Sequence, residues 1–357
     1  MSTRSGRVFS LLKREIMGFF TRDIGIDLGT ATVLIYVKGK GIVLREPSVV
    51  SLDRDTGRVL KVGQEALDML GRTPDNIVTL RPLQDGVISD YEITEKMLRY
   101  FIRKANGRSL VKPNVIVCVP SRINEVEERA VRDATRYAGA RWVELIEEPM
   151  AAALGAGIDI SKPRGVMVID IGGGTADVAV ISLNDVVVSE SVKCGGDKFD
   201  DAIIRYVRRE HNVIIGQRTA EDIKIKIGCL SPRPEKLTMT VRGRCVTTSL
   251  PKEITISSPE VMSALLEPAK SIVEAVHDVL AKTAPELISD IAESGISLTG
   301  GGGLIYGFDQ MISSRIGIPV HTEEDAVCCV VKGTGIALER IDSLRDAKVN
   351  FPEKRFL

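Results

Sequence analysis

A chain of 357 residues, 44% hydrophobic and 27% charged, has enough apolar side chain for a large core, and a compact two-lobed protein is expected. Lys+Arg and Asp+Glu are both 48, so no net positive field gathers nucleic acid or anionic lipid, and an anionic partner has to be met locally. The six cysteines contain no C-x-x-C pair, which argues against a zinc centre or a disulfide framework, and no apolar run reaches the ~18 residues of a membrane span.

Residues 1–22 stand apart from the rest. Val8, Phe9, Leu12, Ile16, Phe19 and Phe20 recur at helical spacing among Arg4, Arg7, Lys13, Arg14 and Arg22, the pattern of a helix lying in a membrane surface. A signal peptide is the competing reading, opposed by Lys13, Arg14 and Glu15 in what would be its apolar centre; a disordered or core-packed leader is a third. Next comes Asp23-Ile-Gly-Ile-Asp-Leu-Gly-Thr-Ala-Thr-Val-Leu-Ile-Tyr-Val37, which reads as strand, glycine turn, strand, and then a smaller insertion at about 41–80. Asn114-Val-Ile-Val-Cys-Val-Pro120 is a continuous apolar run suited to a buried strand. After it, Asn124 and Glu127 form a capping pair for a helix that Gly139 ends, and an Ala-rich helix is expected near Met150 to Gly155.

Val166-Met-Val-Ile-Asp-Ile-Gly-Gly-Gly-Thr-Ala-Asp-Val-Ala-Val-Ile181 repeats the first hairpin. Asp27, Gly29, Thr30 and Ala31 answer to Asp170, Gly172, Thr175 and Ala176, so two similar domains are expected. A second smaller insertion spans about 195–258, with Phe199, Ile203 and Val207 on one helix face and alternating short strands at 236–256. Ile296-Ser-Leu-Thr299 is followed by Gly300-Gly-Gly-Gly303 and by Leu304, Ile305, Phe308 and Ile312 at helical spacing. Strands alternating with helices make the class α/β.

Glycine turns between strands expose backbone N–H groups with no side chain in the way and can cradle phosphate oxygens. Two facing turns can hold a polyphosphate from both sides, and Asp27 and Asp170 are placed to hold Mg²⁺ through its waters. There is no G-x-x-x-x-G-K-[ST], and Gly172-Gly173-Gly174 opens a strand rather than a helix, which removes the dinucleotide-fold reading.

Ile26-Asp-Leu-Gly-Thr30, Asp170-Ile-Gly-Gly-Gly-Thr175 and Leu298-Thr-Gly-Gly-Gly302, in this order, resemble the two phosphate loops and the adenosine loop of the actin, heat-shock chaperone and sugar kinase superfamily. Within it the chain resembles the MreB family of bacterial actins through Glu46-Pro-Ser-Val-Val50, Asp85-Gly-Val-Ile-Ser-Asp90, Leu145-Ile-Glu-Glu-Pro-Met-Ala-Ala-Ala153, Gly195-Gly-Asp-Lys-Phe-Asp200 and Thr219-Ala-Glu-Asp-Ile-Lys224. The resemblance implies an actin-like fold of two related α/β domains around a nucleotide cleft, each with a smaller inserted subdomain. Its domains would be 23–157 and 158–334, with 335–357 returning to the first domain and ending in a tail. It implies that Gly29, Thr30 and Ala31 hold the β- and γ-phosphates of ATP from one side, and Gly172, Gly173, Gly174 and Thr175 from the other. Gly195, Gly196, Glu221 and Lys224 would meet ribose and adenine, Gly301, Gly302 and Gly303 would form the adenosine loop, and Glu148 with Thr175 would orient the attacking water. Read alone, Glu148 is an ordinary helix-start acid.

The same resemblance implies slow ATP hydrolysis in filaments, made of protofilaments that pair antiparallel through the helix of residues 124–137 with Val126 near its centre. Val126 facing the core is the plainer reading. It further implies a cytoplasmic protein at the inner face of the cell membrane, organising wall synthesis and cell shape with membrane proteins of that machinery, and no nucleic-acid partner. The matching membrane loop, residues 106–111, offers only Leu110 and Val111, which leaves the membrane to the N-terminal segment. Two departures from the family pattern, Ala176 for a hydroxyl residue and Asp177 for a longer carboxylate, keep open a scaffold that binds nucleotide with little hydrolysis. A small-molecule kinase is the other alternative on this fold.

Overall fold

The computed structural model describes residues 23–107, 109 and 111–339. The expected membrane residues Phe9, Leu12, Ile16, Phe19, Phe20 and Leu110 lie outside the described residues, as does the tail after 339.

The first lobe is built on a hairpin of β1 (Ile24–Leu28) and β2 (Thr32–Val37), extended antiparallel by β3 (Gly41–Pro47). The chain then makes a small sheet from β4 (Val50–Asp53), β5 (Val59–Val62) and β6 (Ile77–Leu80), and a short pair from β7 (Leu83–Gln84) and β8 (Val87–Ile88). Asp90 accepts from the N–H of Ile93 at 3.0 Å and starts the helix Tyr91–Asn106. β9 (Asn114–Val119) returns parallel beside β1, and β10 (Trp142–Glu147) lies parallel beside β9. All six residues of β9 are buried, as its unbroken apolar run requires of a strand covered on both faces. Between β9 and β10 the helix Glu125–Tyr137 starts from the capping box of Asn124 and Glu127 read in the sequence.

The second lobe repeats the plan. β11 (Val166–Ile171), β12 (Ala176–Ser182) and β13 (Asp185–Val192) form the antiparallel meander. β14 (Val213–Ile214), β15 (Thr238–Cys245) and β16 (Pro251–Ser257) form the smaller sheet, and β17 (Ile296–Thr299) and β18 (Val320–Thr322) add in parallel beside β11. The orders β10-β9-β1-β2-β3 and β18-β17-β11-β12-β13 correspond strand for strand and direction for direction. The repeated sequence hairpin is therefore the centre of a duplicated sheet.

One expected boundary moves. β3 pairs with β2 from Thr32↔Pro47 to Val37↔Gly41 and belongs to the main sheet, so the first insertion starts near Val50 rather than 41. The helix Gly196–His211 buries Phe199, Ile203 and Val207 in one core with Met167 and Ile169 of β11, and Val213, Val241 and Ile254 of the smaller sheet belong to the same core.

The lobes meet at two helices, Glu148–Gly155 and Cys329–Glu339. A Cβ on Gly155 would lie 1.8 Å from the carbonyl oxygen of Cys329, and one on Gly333 1.8 Å from that of Ala151. These glycines let the helices touch backbone to backbone, which no side chain would permit. The helix Cys329–Glu339 also packs on the first lobe, with Thr334 filling the space beside Gly25 of β1. Val126 is 77% exposed, which overturns its core-facing reading.

Candidate functional site

The turns Gly29–Ala31 and Gly172–Thr175 join the hairpins β1/β2 and β11/β12, and they face each other across the lobes. A Cβ on Gly173 would lie 2.6 Å from that of Ala31, and one on Gly174 2.5 Å from Oγ1 of Thr30. Thr30 Oγ1 accepts from the N–H of Gly86 at 3.0 Å, which fixes the first turn against the loop between β7 and β8. The second turn is closed by Gly172 N–H donating to Thr175 O at 2.9 Å.

The other predicted loops converge here. The carbonyls of Gly172 and Gly173 accept from the N–H groups of Gly196 and Asp197 at 2.9 and 2.8 Å, so the start of the helix Gly196–His211 abuts the second turn. A Cβ on Gly195 would meet the Gly172 carbonyl oxygen at 2.7 Å. Gly300 and Gly302 pack on Ile171 at the end of β11, where an added Cβ would come within 2.3 Å of that residue. Gly301–Leu304 is a tight 3-10 turn rather than the first turn of a helix, and the helix proper runs Phe308–Ile316 after Gly307 in the left-handed conformation. Gly301 is exposed and Gly303 is buried against Leu298.

Lys224 and Glu221 lie one turn apart on the helix Gln217–Ile227. Lys224 Nζ donates to the Gly196 carbonyl and pairs with Asp200 Oδ1, each at 2.9 Å. Nothing in the sequence marks Asp200 as a partner, although it ends the Gly-Gly-Asp-Lys-Phe-Asp motif. Burial, offset by Lys224, pushes its carboxyl up to about 7.

Four carboxylates share the floor of the cleft. Asp27, half-buried, is pushed up to about 8 by desolvation and by the charge of Asp170. Burial raises Asp170 to about 6 against the hydrogen bond that Thr299 Oγ1 donates to it at 2.7 Å. Asp177 is raised to about 7 by burial although the Ser121 N–H donates to it at 2.7 Å. Glu148 is 8% exposed and held well above the usual carboxylate range by burial, then by Asp177, Asp170 and Asp27. It is the first residue of the helix Glu148–Gly155 and is turned inward, which sets aside the solvated helix-start reading. Thr175 is buried beside the second turn.

No lysine or arginine is among the groups that set these four values. The described residues also contain no group of three ligands close enough to wrap a bare metal ion. Asp27 and Asp170, as hard oxygen ligands on this floor, are the residues that could accept from the waters of a divalent cation such as Mg²⁺.

A pH dependence follows. Unfolded, these acids release their protons near pH ~4, whereas folded Asp170, Asp177 and Asp27 hold them to about 6, 7 and 8. The folded chain binds more protons across that window, so stability falls as pH rises from ~4 to ~8. Scanning fluorimetry without nucleotide is expected to give a lower Tm at pH 8.5 than at pH 6, and Asp27→Asn is expected to flatten the slope. A Tm that climbs with pH over this range contradicts the assignment.

The model of the MreB/Mbl protein family matches residues 21–346. The cell shape-determining protein Mbl of Bacillus cereus is 53% identical over 326 residues, 91% of this chain and 98% of that relative. The cell shape-determining protein MreB of Escherichia coli K12 is 51% identical over 335 residues, covering 92% and 96% of the two chains. The crystal structure of MreB5 of Spiroplasma citri bound to ADP has a TM-score of 0.87 at 40% identity and covers 91% of this chain and 98% of its own. MreB5 bound to AMPPNP gives the same TM-score. The MamK double helical filament, 20% identical with a TM-score of 0.76, shares the fold.

Proposed function

Since the chain belongs to the MreB/Mbl protein family, we propose that it is a cell shape-determining, actin-like protein that binds ATP in the cleft, hydrolyses it slowly and polymerises into membrane-associated filaments. The observation that carries the reading is the pair of glycine turns that face each other with Gly173 against Ala31, above an acidic floor. Backbone N–H groups of both turns surround a polyphosphate, and Gly195, Gly196 and the Gly300–Gly303 loop border the nucleoside. Glu221 and Lys224 belong to the wall on the nucleoside side, Lys224 by holding Asp200 and the Gly196 carbonyl.

Bound Mg²⁺ supplies positive charge that offsets the phosphates. The chain's own contribution is positional. Glu148 and Thr175 orient a water; its oxygen bonds to the γ-phosphorus as the bond to the β–γ bridging oxygen breaks, and the proton passes to the Glu148 carboxylate or to the departing phosphate. A site shut between two lobes keeps other water out and lets fixed N–H dipoles act in a low dielectric.

Polymerisation and membrane contact extend the reading. Val126 projects from the helix Glu125–Tyr137, and Tyr137 at its far end is 64% exposed. An apolar residue this free of its own chain suits a pairing surface between antiparallel protofilaments. Val126→Glu is expected to leave nucleotide-dependent single protofilaments and to remove paired ones in negative-stain images; paired filaments in the variant would take Val126 out of the interface.

No helix among the described residues is long and apolar enough to cross a membrane. Attachment at the inner face of the cytoplasmic membrane is therefore assigned to the amphipathic pattern of residues 1–22, with Leu110 as a second apolar contact. There the filament meets membrane proteins of the wall-synthesis machinery. The test is phosphate release and co-sedimentation with anionic liposomes, followed in the same tubes. The full chain is expected to release phosphate and to sediment more with liposomes than without them, and a chain lacking residues 1–20 to release phosphate and to sediment equally in both. A protein that stays with the supernatant and consumes ATP only when a small hydroxylated substrate is added contradicts the filament reading in favour of a kinase.

A further inference from the structure

Arg81 follows β6 and leads out of the small sheet of the first lobe, whereas Asp197 stands in the first turn of the second-lobe helix Gly196–His211. Arg81 Nη1 lies 3.0 Å from Asp197 Oδ1, across 116 residues of sequence and across the cleft. The two side chains are only 16% and 28% exposed. The N–H of Asp197 is the one that donates to the Gly173 carbonyl at 2.8 Å, so the pair is tied directly to the second glycine turn.

The surroundings make this arginine hard to replace. Asp197 shares its neighbourhood with the acids Asp200 and Glu221, and Lys224, which pairs with Asp200, opposes its burial less than Arg81 does. Burial raises the Asp197 carboxyl, and Arg81 is the largest of the influences that oppose it. Two other ion pairs also span the lobes: Arg218 to Asp68 at 3.6 Å, with both side chains more than half exposed, and Arg122 to Glu190 of β13 at 2.9 Å, with the arginine 57% exposed. Water and salt screen such a pair, whereas a partly buried pair loses more when one partner is removed. Of the three, Arg81–Asp197 is the least exposed, and it alone is hydrogen-bonded to a phosphate-facing turn. A nucleotide enclosed between the turns leaves when the lobes part, and parting them breaks this ion pair.

We infer that Arg81 and Asp197 form a clasp across the cleft that sets how long a bound nucleotide is retained, with Arg81 acting as a positioning residue through Asp197. The inference rests on the nucleotide-binding reading above. To test it, the full-length protein is loaded with a fluorescent ATP analogue and Mg²⁺ and chased with excess unlabelled ATP, and the release rate is followed. Arg81→Ala and Asp197→Asn are each expected to speed release roughly 3- to 10-fold, in line with a partly buried ion pair. The double variant should release no faster than either single one, and the exchange of charges in Arg81→Asp/Asp197→Arg should restore slow release. That restoration is a result that a merely structural arginine would not produce. Should Arg81→Ala fail to fold, Asp197→Asn, isosteric and uncharged, carries the test. A wild type that retains no analogue refutes nucleotide binding itself. A wild type that retains it while Arg81→Ala and Asp197→Asn release at the same rate overturns the clasp, as do single effects that multiply in the double variant.

Discussion

Gly173→Val is expected to abolish ATP binding, weakening it about 100-fold or more, while the protein stays folded. The added Cβ falls 2.6 Å from the Ala31 Cβ and 3.1 Å from the Ala31 backbone nitrogen, both on the opposing turn. Neither neighbour is the flexible end of a long side chain, so one turn has to move away from the other. Overpacking of this kind costs ~1–3 kcal/mol, and each charge-assisted hydrogen bond to a phosphate that the shifted turn can no longer make costs a further ~1.5–3 kcal/mol. At ~1.4 kcal/mol for each tenfold, the sum passes two orders of magnitude. Gly173 is outside the apolar cores of both lobes, so the overpacking should lower Tm without nucleotide by only several degrees, leaving the protein folded. Gly216→Ala is the control: no atom lies within 4 Å of its added Cβ, and titration with ATP should be unaltered. Equal affinities for Gly173→Val and wild type would mean that the two turns do not enclose the phosphates.

Glu148→Ala is expected to bind ATP within about threefold of wild type and to lose phosphate release by ~100-fold or more, the scale of a positioned acid–base group. The same substitution should raise Tm above pH 7. Glu148 is a buried carboxyl facing Asp177, Asp170 and Asp27, and removing it relieves repulsion among groups that are not paired with a cation. Function and stability thus pull in opposite directions at this residue, as is common where a site concentrates like charges. Glu148→Gln keeps the shape and should match Ala in turnover. Wild-type release from either variant removes Glu148 from the hydrolytic step.

The parts of the fold that are legible in the sequence are those written in local pattern. Both hairpins, the buried strand Asn114–Val119, the Asn124/Glu127 cap and the order of the three glycine clusters follow from spacing alone, and the duplicated sheet follows from the matching hairpins. What escapes is tertiary. β3 reads as part of an insertion because its pairing with β2 leaves no local mark, and the helical spacing that begins at Leu304 and Ile305 starts ahead of the helix itself, which runs from Phe308.

The site divides the same way. Glycines and acids announce themselves by type and repetition, but their partners do not. Asp177 reads in the sequence as a shortened carboxylate, and its role in accepting the Ser121 N–H joins residues 56 apart. Asp200 and Arg81 carry no signal of their own because the meaning of each depends on a residue brought from elsewhere, Lys224 in one case and Asp197 in the other. Exposure of Val126 is likewise a tertiary fact, since helical periodicity gives a stripe but not the neighbour that covers it.

The central claim is that nucleotide in this cleft drives self-assembly, and high-speed pelleting of the purified chain with Mg²⁺ and with or without ATP tests it most directly. The account predicts that protein moves to the pellet with ATP and stays in the supernatant without it, and that Gly173→Val stays in the supernatant in both tubes. Equal pelleting of wild type in the two tubes, or none in either, would contradict it.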